Sequence, residues 1–141
     1  MRYLAIDLGG KRTGLAVGDD ESGIVSPLTV VEAKRDALRI EAIVKQIARE
    51  GAEALVVGWP VNMDGRAGPA AKAAEAFADQ LGRATNLPVH LHDERQSSAE
   101  ADQQMAQSGL THGQKKARRD ALAAATILRG FFESRAAGDG K

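Results

Sequence analysis

Three acidic residues fall in three different kinds of local sequence. Asp7 lies in the first apolar run, Tyr3-Leu4-Ala5-Ile6-Asp7-Leu8; Glu94 ends the short run Val89-His90-Leu91-His92-Asp93-Glu94; Asp120 opens an Ala-rich helical stretch that continues to Phe132. Each stands where a chain of this size could aim a carboxylate at one point. Carboxylates gathered from distant parts of a chain repel one another unless a cation holds them, and an oxygen-only ligand set selects hard ions, Mg²⁺ or Mn²⁺, over zinc. The trio reads as a metal-dependent nuclease site. Phosphodiester hydrolysis asks for a nucleophilic water, stabilisation of charge on the phosphoryl oxygens and help for the departing alkoxide. Two divalent ions ~4 Å apart supply all three. The protein must then hold the ions on carboxylates from rigid elements, because loose ligands lose the in-line geometry.

The elements that would position these acids follow from periodicity. Arg2 to Leu8 is a strand-like run ending at Gly9-Gly10; Gly14 to Gly18 resumes the pattern, and Ile24 to Val31 supplies a third run around Pro27. Loops this short favour an antiparallel meander. From Asp36 the period becomes helical, with Leu38, Ile40, Ile43, Val44 and Ile47 on the apolar side, Asp36 as N-cap and Gly51 as the stop. Ala54 to Gly58 is continuously apolar, the pattern of a strand covered on both faces and parallel to the first. A helix from about Pro69 to Thr85, a strand from Val89 to His92, a helix capped by Ser97 and Glu100 and ending near Gly109, and a last helix from about Ala117 or Arg118 to Arg135 complete the series. This order predicts an α/β fold of the ribonuclease H-like kind: a mixed sheet of three antiparallel and two parallel strands with helices on both faces. The expected domain spans 1–135, with 136–141 a flexible tail.

Within that frame Asp7 shares a strand face with Tyr3 and Ala5 and projects toward one helix layer. Asp120 shares a helix face with Ala123, Ala124 and Ile127, so it points inward, where a cation or basic residue must offset its charge. The helix dipole alone would also favour an acid in an opening turn. For the third acid, Asp93 and Glu94 compete; an unbroken pleat puts Glu94 with His92 and Asp93 with Leu91, and Glu94 is preferred.

The 141 residues fit one domain, and the absence of cysteine removes disulfides and thiolate metal sites, in keeping with the cytoplasm. Arg2 to Leu8 is too short for a signal peptide and no apolar stretch approaches ~20 residues, so no membrane association is expected. Formal net charge is zero, so nucleic-acid binding must come from uneven placement of charge. Lys115, Lys116, Arg118 and Arg119 cluster just before Asp120, and Lys11 and Arg12 follow Asp7. These residues and Arg95 are candidates for phosphate contact, which positions nucleic acid without reading its sequence; each also fits exposed solubilising charge. Asn62, in the loop Trp59 to Gly65 after a central strand, occupies the customary place for ligand contacts. Trp59 fits core cover better than base stacking, and His90 and His92 fit ordinary surface residues better than metal ligands. A dinucleotide-binding reading fails because Gly9-Gly10-Lys11-Arg12-Thr13-Gly14 lacks the required glycine spacing and leads into a strand.

The segments Asp7 to Val17, Val57 to Gly65, Asp93-Glu94-Arg95 and Asp120 to Ala124 together resemble the YqgF/RuvX family of pre-16S rRNA nucleases, which are similar to Holliday junction resolvases. The resemblance covers almost the whole chain, with its motifs in order. It implies a ribonuclease H-like fold and a divalent-metal nuclease of the bacterial cytoplasm that matures the 5′ end of 16S rRNA, with Asp7, Glu94 and Asp120 as the acidic residues. Two departures stand out: Trp59 where relatives usually have Leu, and Gln96-Ser97-Ser98 where Thr or Ser-Thr follows the Asp-Glu-Arg triplet. Neither touches a metal ligand. Precursor 16S rRNA is the expected partner, with branched DNA and ribosomal assembly intermediates as alternatives and a monomer or homodimer as the assembly. A junction resolvase needs a symmetric dimer. The competing functions are a non-catalytic RNA-binding assembly factor and an actin-like or sugar-kinase phosphotransferase, against which the length argues.

Overall fold

The computed structural model describes residues 1–60, 68–93 and 112–136, the last segment with side chains from Asp120 onward. Five strands, β1 (Arg2–Leu8), β2 (Arg12–Asp19), β3 (Val25–Glu32), β4 (Ala54–Trp59) and β5 (Val89–Asp93), form one sheet in the order β3-β2-β1-β4-β5. The pairings of β1 with β2 and of β2 with β3 are antiparallel, because each pair is joined by a short turn. Those of β1 with β4 and of β4 with β5 are parallel. Parallel pairing needs a long crossover, and α1 (Asp36–Glu50) and α2 (Pro69–Thr85) supply it. The third helix, α3, covers His112–Ser134.

The pleat sorts the core into two layers. Leu4, Ile6, Leu15, Val17, Leu55 and Val57 face one way and pack with Ile43 of α1 and Phe77 and Leu81 of α2. Tyr3, Ala5, Ala16, Ala54 and Val56 face the other way, against Ala124, Ile127, Leu128 and Phe131 of α3. β1 and β4 are thus covered on both faces, as continuous apolar runs require.

Several local expectations need correction. Asp36 is the first residue of α1, not its cap; the N-cap is Arg35, without a side-chain hydrogen bond, and the Asp36 carboxylate pairs with Arg39 instead. Leu38 and Val44 are exposed, at 47% and 38%, and Arg39 and Ile43 are the residues that α1 buries. Gly51 ends the helix as expected, in the left-handed region at φ 69°, its N–H donating to the Ile47 carbonyl. The last helix starts at His112 and not near Ala117, because the Lys-Lys-Ala-Arg-Arg run is made of good helix formers. His90 and His92 are partly buried against the Phe131 ring. The helix expected over 97–109 lies outside the described residues, as does all of the tail except Ala136. No described helix is long and apolar enough to cross a membrane.

Candidate active site

Asp7 stands at the carboxyl end of β1, directly opposite Gly14 of β2. Paired residues of an antiparallel ladder point to the same face, and for Asp7 and Gly14 that is the α3 face shared with Tyr3, Ala5 and Ala16. Gly14 brings the helix in. A Cβ built there would lie 2.0 Å from the Asp120 carbonyl oxygen, so α3 crosses β2 with its backbone almost on the strand. Only glycine allows this approach. Asp7 and Asp120, 113 positions apart in sequence, therefore flank a single residue of β2, at the end of the sheet where the parallel strands finish.

Asp120 lies two turns inside α3, so the dipole of the helix terminus does not account for it. Ala123, Ala124 and Ile127 on its face are buried, Ala124 and Ile127 completely. Its charge is offset by Arg12, the first residue of β2, whose Nε donates to Asp120 Oδ2 at 3.0 Å, both side chains being about one-quarter exposed. Alternation along β2 explains the meeting: Arg12, Gly14, Ala16 and Gly18 share the α3 face. Sequence reading places Arg12 near phosphate but misses this partner; the signal for it was Arg12 in the same period-two series as the small residues that admit the helix.

Gly58 of β4 and His92 of β5 are register partners. His92 faces α3, its Nε2 lying 2.8 Å from where a Gly130 Cβ would be. Burial holds His92 below the ordinary imidazole pKa against the opposing pull of Asp93, and burial with Arg135 does the same for His90. Both shifts disfavour the positively charged imidazolium. With Tyr3 and Phe131 they form a ring cluster beneath the site. By the same pleat Asp93 falls on the opposite face, with Val89. Its register partner Trp59 donates from Nε1 to Glu75 Oε2 of α2 at 2.7 Å, which ties the indole to the helix layer away from Asp7.

Lys11 is exposed in the turn between β1 and β2. Asn62, Glu94 and Arg95 lie outside the described residues. Lys115, Lys116, Arg118 and Arg119 fall within α3, their side chains outside the described set. Among the described residues no group of three or more His, Cys, Asp or Glu is placed to hold a metal ion; Asp7 and the Asp120 backbone both lie against Gly14, and Glu94, the third expected acid, is outside the described residues.

Comparison with known proteins agrees with this geometry. Residues 1–134 match the RuvX family, described as Holliday junction resolvase. A relative from Anaeromyxobacter sp. (strain Fw109-5), named "Putative pre-16S rRNA nuclease", is 42% identical over 135 residues, covering 96% of this chain and 98% of its own. One of the same name from Thiobacillus denitrificans is 43% identical over 133 residues, covering 94% of this chain and 91% of its own. The solved structure of T. thermophilus RuvC in complex with Holliday junction substrate matches with a TM-score of 0.63 at 19% identity, over 98% of this chain and 97% of that one, which establishes the ribonuclease H-like fold. The chain belongs to the RuvX family, and the activity named for that family and for these relatives is that of a nuclease.

Proposed function

We propose that this chain is a divalent-metal-dependent endonuclease that cuts precursor 16S rRNA in the maturation of its 5′ end, in the cytoplasm, with Asp7, Glu94 and Asp120 holding Mg²⁺ or Mn²⁺. The observation that carries the reading is the placement of Asp7 and Asp120 on one face, on either side of Gly14. The donor set fits a hard cation: both groups are carboxylates, both come from rigid elements, and Asp120 already draws a guanidinium to itself. Glu94 is preferred over Asp93 because the pleat of β5 turns Asp93 to the face away from Asp7. Bound there, the ions supply an acidified water and neutralise charge on the phosphoryl oxygens. The chain's own groups do the rest. Asp7 and Asp120 fix the position at which the scissile phosphate is held, and Lys11 and Arg12, at the rim, draw the phosphate backbone in and orient it.

The family description and the junction-bound structural relative favour one second reading, a nuclease acting on branched DNA. Purified protein incubated with Mg²⁺ or Mn²⁺ against a precursor 16S fragment and a four-way junction in parallel separates the two. Asp7→Asn is expected to abolish Mn²⁺-dependent cleavage while RNA affinity stays similar or improves, since a negative charge beside phosphate has gone. Equal cleavage by variant and parent would refute the site. RNA binding without cleavage by the parent would instead make the chain an RNA-binding assembly factor.

A further inference from the structure

Arg39 is a buried cation on the wrong side of the sheet for the chemistry. It lies on α1, is 4% exposed, and stacks its guanidinium over the Phe77 ring of α2, 5.8 Å from the centroid. That is the layer opposite Asp7 and Asp120. Its hydrogen bonds nevertheless lead toward them. The Nη2 group donates to the Gly10 carbonyl in the turn between β1 and β2 and, at 3.0 Å, to the Ala33 carbonyl between β3 and α1. The Ala33 N–H in turn donates to the Lys11 carbonyl at 2.9 Å.

The turn needs such support. Gly9 and Gly10 give its backbone no Cβ to restrict it. Gly9 is required by closure, since a Cβ there would lie 2.3 Å from the Arg12 carbonyl oxygen. Around Gly10 nothing stands within 4 Å of where a Cβ would be, so the described residues leave open space on that side. The Gly10 carbonyl accepts from Arg39, and the adjacent Lys11 carbonyl accepts from Ala33, which Arg39 also holds. Stability alone is a poor reason for an arginine here. A well-packed apolar residue in place of a buried charge is often neutral or stabilising, and the Arg39 Nε is buried without a hydrogen-bond partner among the described residues, an uncompensated desolvation.

We propose that Arg39 is a positioning residue of the active site: it fixes the turn after β1 from the far face of the sheet, so that Arg12 meets Asp120 and Lys11 and Arg12 are set for substrate phosphate. Its effect on substrate rests on the nuclease reading; its effect on Arg12 does not.

The test uses Arg39→Met and Arg39→Lys in the full chain, at a temperature where circular dichroism shows each folded. The first readout is hydrogen exchange of the Arg12 Nε–H, assigned by its disappearance in Arg12→Lys. In Arg39→Met this exchange accelerates by about 10-fold or more, the loss of one hydrogen-bonded constraint, while the amides of Leu4 and Leu55 keep their protection. In Arg39→Lys, which keeps the charge but cannot bridge two carbonyls with a planar fork, the rate falls in between. The second readout is KM for the precursor RNA fragment, which rises about 10-fold in Arg39→Met, the equivalent of one weakened charge-assisted phosphate contact. A merely structural arginine would lower the folded fraction and leave both readouts at the parent value, and that result would overturn the proposal. Should Arg39→Met fail to fold, parent-like exchange and KM in Arg39→Lys would overturn it equally. Should the parent cleave nothing, the nuclease reading fails and the exchange of Arg12 alone decides the role of Arg39.

Discussion

Arg12 and Asp120 form an ion pair that bears on how the site meets a cation. A partly exposed pair contributes only about 1 kcal/mol, but this one involves a carboxylate we propose as a metal ligand. Without Arg12, Asp120 would share its face with Asp7 and lose the cation that the described residues place against it. Arg12→Met is therefore expected to lower the metal-free melting temperature by roughly 3 °C, the shift that about 1 kcal/mol produces in a domain of this size. Added Mn²⁺ should then raise the variant's melting temperature by more than it raises the parent's, because no guanidinium has to be displaced from Asp120 Oδ2. Differential scanning fluorimetry across an Mn²⁺ titration measures both shifts. A smaller Mn²⁺ response in the variant would mean that Arg12 steadies Asp120 for the ion instead of competing with it. The directions of Asp7 and Asp120 were legible from period two and period 3.6. The pairing of residues 12 and 120 depends on where a distant helix lands; period two puts Arg12 on the face of the small residues that admit it, but does not say which residue of the helix arrives there.

The landing of α3 is decided by small residues of β2. Gly14, Ala16 and Gly18 line the contact; a Cβ built at Gly14 would meet the Asp120 backbone, and one built at Gly18 would meet the Ile24 carbonyl oxygen and the Val25 and Leu128 side chains, so that only at Gly14 does the helix backbone itself stand in the way. A side chain can swing aside; a helix backbone cannot. Gly14→Ala must push α3 away from the sheet and carry Asp120 with it, at a cost of about 1–3 kcal/mol from overpacking, and with it the spacing of Asp7 and Asp120. Urea denaturation should show a lower midpoint, and Mn²⁺-dependent cleavage should fall further than the loss of folded protein explains. Gly10→Ala is the control: nothing stands near a Cβ there, and its stability should stay within about 1 kcal/mol of the parent. A Gly14→Ala variant as stable as Gly10→Ala would mean that the close approach is not needed. At this scale the strand series was readable, since short turns impose antiparallel pairing and helical crossovers impose parallel pairing. The start of α3 was misjudged because a basic run reads as solvated surface in sequence, while its lysines, alanine and arginines are also strong helix formers. The apolar side of α1 was misjudged at Leu38 and Val44 because a buried arginine occupies the position that periodicity assigns to an apolar residue.

Over the whole molecule 19 basic and 19 acidic residues cancel, so attraction to a polyanion cannot come from net charge and must come from where the charge sits. The helical backbone carries Lys115 and Lys116 on the two turns of α3 that precede Asp120. If those lysines neutralise phosphates, each releases condensed counterions on binding, and single-stranded nucleic acid loses about 0.7 in log–log salt slope per contact removed. Lys115→Gln with Lys116→Gln should therefore weaken binding to unrelated RNA sequences alike and flatten the slope by up to about 1.4. Fluorescence anisotropy over a range of salt, with metal omitted so that no cleavage intervenes, measures it. A sequence-dependent loss would instead assign these lysines to base contacts. An unchanged slope would remove these two lysines from the candidates for phosphate contact and leave Lys11, Arg12, Arg95, Arg118 and Arg119.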